Sequence, residues 1–353
     1  MQEERTPCLF GEDFIKKEPE KIIYTKEQIL EAAFHDFRRR GFPYPKKDLF
    51  ELMQEMNRLA NLPESECLNS RVGYVIADTY HPYRFERSAF NMRSPVESFA
   101  IDKSLKKALR MIYESTEEIK YRYYGFFSIV SGTQGCSNFR PAFAKMIYNK
   151  YCPAGGKVFD SSTGYGGRLV WFMASNCNEY VGVDPNTLTY AQNSKMIQDL
   201  KPNKIIDLYC IPIEEFNEQR YLRYFDLAFT SPPYFKKEHY SEEATQSCNR
   251  YPEYKNWLNC FLKPMLKRQY NVLKADGLNI INIEDIKIGG KEFPLVEPTI
   301  AYAKERGFEL VKRDQFSLQP RTYIDENGEK KVEFATESVL IFKKPRVDNS
   351  VLT

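Results

Sequence analysis

The chain has 353 residues, room for one large or about two ordinary domains. Hydrophobic residues make up 42 % and charged residues 28 %, which excludes a disordered or fibrous chain, and aromatics at 14 % supply ample core material. Lys and Arg total 51 against 48 Asp and Glu, so the net charge of +3 leaves any basic surface to be local.

No stretch reaches the ~18–20 apolar residues that a membrane span requires. Glu3, Glu4 and Arg5 are not followed by the apolar core of a secretory leader. The eight cysteines are scattered without a C-x-x-C pair, and His35, His81 and His239 lie far apart, so no metal site is expected. Reduced thiols and the lack of a leader make the cytoplasm the expected compartment.

In chain order, Thr25 and Gln28 form a capping-box start for a helix that runs through Arg40 and stops at Gly41 and Pro43. Leu49, Phe50, Met53, Met56 and Leu59 recur at helical spacing within 46–59. From Gly73 to Arg93 the texture changes to aromatics interleaved with arginine, and a further helix is expected over 102–118. Beyond about residue 138 helices and strands alternate. A helix at 141–150 leads to a strand at 157–160, a glycine-rich turn, a helix from Arg168 to about Ser175 and a strand at 180–184. Further strands are expected at 205–211, 226–230, 277–286, 308–316 and 338–343, with Asp325 to Gly328 as a polar hairpin turn. This pattern predicts an α/β fold: a doubly wound, mostly parallel seven-stranded sheet with an antiparallel edge hairpin, preceded by a mostly helical N-terminal region. The division falls at 1–135 and 136–346.

The first chemical motif is Val158-Phe-Asp160-Ser-Ser-Thr-Gly164-Tyr-Gly166-Gly167-Arg168: a buried strand ending in an acid, then a glycine turn opening a helix. Such a turn lets backbone approach a nucleotide closely. A dinucleotide fingerprint would need its third glycine at Leu169, so the spacing is wrong for it. Asp160 would repel a pyrophosphate but suits a ligand with a positively charged amino-acid end, such as S-adenosylmethionine. Some twenty residues on, Val181 to Asn186 ends the next strand in Asp184, placed to accept from two ribose hydroxyls.

The second motif is Phe225-Asp-Leu-Ala-Phe-Thr230-Ser231-Pro232-Pro233-Tyr234-Phe235. Its plain reading is a rigid strand-ending turn. Its functional reading follows from the chemistry of an exocyclic base amine, whose lone pair is delocalised into the ring. The Ser231 hydroxyl and a carbonyl fixed by the Pro232-Pro233 backbone accept the two N–H bonds, favouring the pyramidal nitrogen of the transition state. Tyr234 would stack on a base extruded from its helix. No nucleophile elbow is present, so Ser231 is not an acyl-enzyme serine. In a sheet ordered 3-2-1-4-5 the first and fourth strands are neighbours, so both motifs would face one crevice.

With these motifs the stretch from Asn138 to Lys344 resembles the catalytic domain of amino-group DNA methyltransferases, the N6-adenine and N4-cytosine class. The order of motifs resembles the gamma-type arrangement, with the extra region at the N-terminus. The resemblance implies S-adenosylmethionine as cofactor and DNA as partner. It assigns catalysis to Ser231, Pro232, Pro233 and Tyr234. It assigns cofactor binding to Phe139, Arg140 and Pro141 of an F-x-P-like segment, to Asp160, Ser161, Gly164 and Gly166, to Asp184, Pro185 and Asn186, and to Thr230. Ser161 stands where many relatives have proline, and serine at the head of the tetrad resembles N4-cytosine enzymes more than many adenine enzymes.

The resemblance implies a separate target-reading region, and because no large insertion interrupts the α/β part, the N-terminal region is the leading candidate for it. Within it, Tyr80 to Arg93 reads first as a partly buried segment with solvated arginines and second as a surface for phosphates and bases. Lys236 to Arg250, directly after the tetrad, reads as a loop able to close over a flipped base, with Lys236, Lys237 and Arg250 near phosphates or simply solvated. The alternatives are the same chemistry on RNA or a protein amide, and an inactive methyltransferase-like subunit that binds nucleic acid.

Overall fold

The structure, a computed structural model, describes residues 23–346 except 68–69, 129, 131, 318–320, 325–329 and 334–335. Among the described residues, three of the five α-helices in the N-terminal region open on capping boxes. α1 (Lys26–Arg40) and α2 (Leu49–Ala60) each open on a capping box, from Thr25 and Asp48. α3 (Tyr74–Tyr80), α4 (Pro95–Ala100) and α5 (Asp102–Thr116) follow. The alternating half begins with α6 (Pro141–Tyr151), β1 (Lys157–Asp160), α7 (Gly167–Ala174), β2 (Glu179–Val183), α8 (Thr187–Leu200) and β3 (Ile205–Tyr209). It continues with β4 (Phe225–Thr230), α9 (Lys263–Val272), β5 (Leu273–Ile283), α10 (Val296–Arg306), β6 (Glu309–Ser317) and β7 (Thr336–Lys343).

These strands form one seven-stranded sheet in the order β3-β2-β1-β4-β5-β7-β6. β1 pairs in parallel with both β2 and β4, and β5 in parallel with β4. β7 runs antiparallel to β5 and to β6, which gives the expected antiparallel edge. The turn at 325–328 lies outside the described residues; the segments flanking it, Arg321–Ile324 and Lys330–Glu333, pair with one another.

β5 departs from its sequence reading. It starts at Leu273, before Gly277, because Asp276 takes a left-handed φ of 62° and the pairing with β4 shifts register between Phe225 and Leu227. It ends at Ile283, and Ile286–Ile288 turns back to pair with Lys291–Phe293.

Side chains of the central strands point alternately to two apolar layers. Phe159, Val181, Val183 and Ala228 meet α9 and α10 on one face. Val158, Tyr180, Leu227 and Phe229 meet α6 and α7 on the other, and Leu52 and Leu59 of α2 and Ile76 of α3 join that layer. The N-terminal region is therefore divided in its packing. Phe34 and Phe37 of α1, Phe99, Leu105 and Ile112 make a separate small core, whereas α2 and α3 lie against the sheet's helices. Among the described residues no helix is long and apolar enough to cross a membrane.

Candidate active site

The carboxyl ends of β1 and β4 are adjacent, and a cavity of about 440 Å³ opens beside them. Both sequence motifs line it, Ser161 to Tyr165 from one side and Ser231 to Tyr234 from the other. A direct bond joins their roots: the Thr230 hydroxyl donates to Asp160 Oδ1 at 3.1 Å. A volume of this size lies within the range of small-molecule sites, roughly 300–1,000 Å³.

On the first side the glycine turn is demanded by space. Gly166 has φ of 75°, and a Cβ there would sit 2.6 Å from Asn193 Oδ1; a Cβ on Gly167 would sit 2.1 Å from the Phe139 carbonyl oxygen. Phe139 and Asn138 thus press directly on the turn, and the Asn138 amide donates to Tyr165 O at 3.1 Å. Asp184 lines the cavity with Gly164 N–H donating to its Oδ2 at 2.8 Å and Asn186 N–H to its Oδ1 at 3.0 Å. Each oxygen keeps a further lone pair. Burial pushes the Asp184 carboxyl up to about 6, partly offset by those two backbone bonds. Asn186 spends its side chain capping α8, accepting from Thr189 N–H at 2.9 Å.

Asp160 corrects the sequence reading of its charge. It is 0 % exposed and absent from the cavity wall. Its carboxylate takes Arg168 Nε at 2.8 Å and Nη2 at 3.1 Å, the Tyr180 hydroxyl at 2.8 Å and Ser162 N–H at 3.1 Å. A charge buried this deeply requires its partner, and Arg168, eight residues on, supplies it. Asp160 shapes the loop, and Arg168 lines the cavity in its place. Pro141, Gly166 and Thr230 also stand behind the wall, while Phe139, Arg140, Ser161, Gly164, Asp184, Pro185 and Asn186 are on it. The Ser161 hydroxyl accepts from Gln269 Nε2 at 2.9 Å, within a buried pair with Asn279.

On the second side Phe235, the residue after the tetrad, holds φ of 49°, uncommon for an aromatic side chain and a sign of a constrained turn. The Tyr234 hydroxyl is buried; it receives Asn282 Nδ2–H at 2.8 Å and donates to the Asn282 carbonyl at 3.2 Å. Ser231 Oγ lies 3.4 Å from that hydroxyl. Asn282 Nδ2 also donates to Glu337 at 2.7 Å, and Asn282 Oδ1 is buried without a partner among the described residues. The Lys237 ammonium stands 4.4 Å from the Tyr234 ring centre, between Glu238 at 3.5 Å and Glu337 at 3.7 Å. Burial raises the Glu238 carboxyl, opposed by Lys237.

Sequence reasoning missed Asn282, Glu337 and Glu238. The one available signal was position: Asn282 is next to last in β5 beside the tetrad strand, and Glu337 is second in the closing strand. Lys236 to Arg250 is fastened down rather than open. Glu243 accepts from the Thr187 hydroxyl at 2.6 Å, the Thr245 hydroxyl reaches Pro185 O at 3.3 Å, and Arg250 pairs with Glu214 at 3.1 Å. Residues 238–239 form a short ladder with 88–89 of the N-terminal region. In the Tyr80 to Arg93 segment most groups serve packing. The Tyr83 hydroxyl bonds His81 Nδ1 and Thr189 Oγ1, both at 2.9 Å, and Phe85 is buried; only Arg84 and Phe90 reach the cavity. Among the described residues no group of three or more His, Cys, Asp or Glu is placed to hold a metal ion.

The arrangement fits S-adenosylmethionine. Asp184 offers acceptors to a ribose, the glycine turn leaves room for a nucleoside, and Gln246, whose Nε2 has no partner among the described residues, also lines the cavity. Residues 225–351 match the family model described as a DNA methylase. No curated protein matches the chain. Among solved structures it is similar to the [4+2]-cyclase SpnF, at TM-score 0.42 and 11 % identity over 59 % of this chain and 82 % of that one. A putative RNA methyltransferase from Pyrococcus horikoshii gives 0.37 and 14 % over 58 % and 84 %. An S-adenosylmethionine-dependent methyltransferase from Methanosarcina mazei gives 0.39 and 13 % over 57 % and 98 %.

Proposed function

We propose that this chain, an S-adenosylmethionine-dependent methyltransferase of the amino-group DNA methyltransferase family, methylates the exocyclic amine of a base in DNA, N4 of cytosine or N6 of adenine. The observation that supports the reading is the shared cavity, with the ribose acid on one wall and the Ser-Pro-Pro-Tyr turn on the other. The cofactor supplies an electrophilic methyl on a sulfonium. Asp184 holds the ribose through the lone pairs that Gly164 and Asn186 leave open.

Ser231 Oγ and the Pro232 carbonyl accept hydrogen bonds from the amine's two N–H groups, which stabilises the nitrogen as it turns pyramidal and gives its lone pair to the methyl carbon. The carbon–sulfur bond breaks as the nitrogen–carbon bond forms, and the nitrogen then releases one proton to solvent. The two prolines fix that carbonyl, so little reorganisation is needed during the reaction. Tyr234, its hydroxyl clamped by Asn282, presents a ring face for an extruded base, and the base must share or displace the Lys237 ammonium over it.

The test is incubation with radiolabelled donor and plasmid DNA followed by nucleoside analysis. Label in N4-methylcytosine or N6-methyladenine is the expected result. Label in neither, from protein that binds the donor, would remove DNA amine methylation.

A further inference from the structure

One lobe of the cavity is used neither by the glycine turn nor by the tetrad. Arg71, Tyr74, Arg84 and Tyr123 of the N-terminal region line it with Arg140, and Ser70 stands beside Arg71 at its edge. The Arg71 guanidinium lies 5.8 Å from the Tyr74 ring centre. Burial raises the Tyr74 hydroxyl, and Arg140, Arg71 and Arg84 are all near enough to oppose that rise. Tyr123 is likewise raised by burial and opposed by Arg84 and Arg71. Arg71, Tyr74, Arg84, Tyr123 and Arg140 all line the same cavity, with Arg71 beside the Tyr74 ring.

Two of the arginines in the lobe, Arg84 and Arg71, differ in how they are matched. Arg84 is matched by Asp78 in a two-pronged pair, Nε at 2.6 Å and Nη2 at 2.9 Å, and its Nη1 donates to Cys136 O at 3.1 Å. Arg71 is exposed, and among the described residues it has no carboxylate partner. None of the lining residues named above is acidic. A space walled by guanidinium forks and tyrosine hydroxyls selects an anion with several acceptor oxygens.

We infer that this lobe binds a backbone phosphate of the nucleic-acid strand carrying the target base, with Arg71 at the rim as its principal contact. The inference rests on the methyltransferase reading of the neighbouring walls. The donor's own carboxylate is the other anion within reach, but it arrives joined to an ammonium. Asp78, the acid beside Arg84, is already paired with it, so that ammonium would find no free carboxylate among these side chains. A phosphodiester brings no such companion. The N-terminal region thereby contributes to the strand's position through charge rather than through the Tyr80 to Arg93 segment, whose groups are mostly spent on packing.

The experiment measures binding of a duplex oligonucleotide by the full chain over a series of salt concentrations, for wild type, Arg71→Gln and Arg71→Lys, together with donor affinity for each. Losing one phosphate contact lowers the slope of log K against log salt by about 0.9 for duplex contacts or about 0.7 for single-strand contacts. Arg71→Gln should show that drop, Arg71→Lys should retain most of the slope, and donor affinity should stay within about twofold in both. An unchanged slope in Arg71→Gln would overturn the inference while leaving base methylation standing. A slope that is kept while donor affinity falls would assign the lobe to the donor's carboxylate, again against the inference. Wild-type protein that binds the donor but neither binds nor methylates DNA would remove the functional reading beneath it.

Discussion

The two walls of the cavity are built on opposite terms. On the donor side the strongest charge, Asp160, is sealed in and satisfied by Arg168, Tyr180, Thr230 and a backbone N–H. On the tetrad side Lys237 stands between two carboxylates at 3.5 and 3.7 Å, and Asn282 Oδ1 is buried with no partner among the described residues. A buried charge that is matched before any ligand arrives fixes the loop's shape, while Asp184 on the same side keeps acceptors open. A cation held between two carboxylates over the Tyr234 ring is a charge that a ligand entering beside that ring must share or displace. Preorganisation is thus divided, with rigidity beneath the donor and adjustable charge around the base.

The contrast can be broken most forcefully at the tetrad. Each well-placed hydrogen-bonding group at a developing charge is worth roughly a hundred- to a thousandfold in rate. Ser231-Pro232→Ala-Ala should therefore lower single-turnover methylation by about a thousandfold or more. Next comes Arg168→Met, which strands Asp160 in the interior. Removing one partner of a buried pair costs about 3–5 kcal/mol, to be read as a fall in unfolding free energy by denaturant titration. A variant of near wild-type stability would mean that Asp160 is not held as a charge.

Asp184→Asn sharpens the comparison, because it alters ligand binding on the donor wall without touching the Asp160 network. Hydrogen bonds to a charged acceptor contribute about 1.5–3 kcal/mol, so donor affinity should weaken roughly ten- to a hundredfold by calorimetry. The sign with pH follows from the direction of the shift. The folded carboxyl is raised to about 6 from 3.8, so the folded state binds its proton more tightly. Its contribution favours folding at low pH and is lost as pH rises through about 6. Donor binding needs the carboxylate and should fall as pH drops below about 6, an effect absent from Asp184→Asn.

The smallest effect belongs to His81, buried and neutral, with burial holding its imidazole down at about 3. It bridges Tyr83 to Asn193 Oδ1 at 3.0 Å, and Asn193 Nδ2 in turn donates to Gly164 O at 2.9 Å. His81→Gln should cost about 1 kcal/mol of stability. The wild-type stability from this group is present above the ordinary histidine range and declines as pH falls below it, because the unfolded chain takes up the proton first. Thermal unfolding of both proteins at pH 5 and 8 would measure the difference.

Much of the fold and both motifs were legible because they depend on local rules. Gly166 and Gly167 report a turn with no room for a Cβ, Pro232 and Pro233 end a strand, and the period of α1 and its caps announces a helix. What escaped depends on pairing between distant positions. Asn282 lies 48 residues from the Tyr234 it clamps and 55 from the Glu337 that orients it, and nothing local to either marks the pairing. Asp160 misled for the same reason: its acid was visible at the strand end, but the guanidinium that neutralises it is delivered by the first turn of the next helix. The start of β5 was masked by Gly277, whose turn signal the parallel ladder overrides.

The division of labour between the walls is tested most directly by the donor dissociation constant of Ser231-Pro232→Ala-Ala, measured calorimetrically beside wild type. A value within about twofold of wild type, in a variant that no longer methylates, is what a base-holding wall requires. A donor that no longer binds would put the tetrad on the cofactor's side and contradict the account.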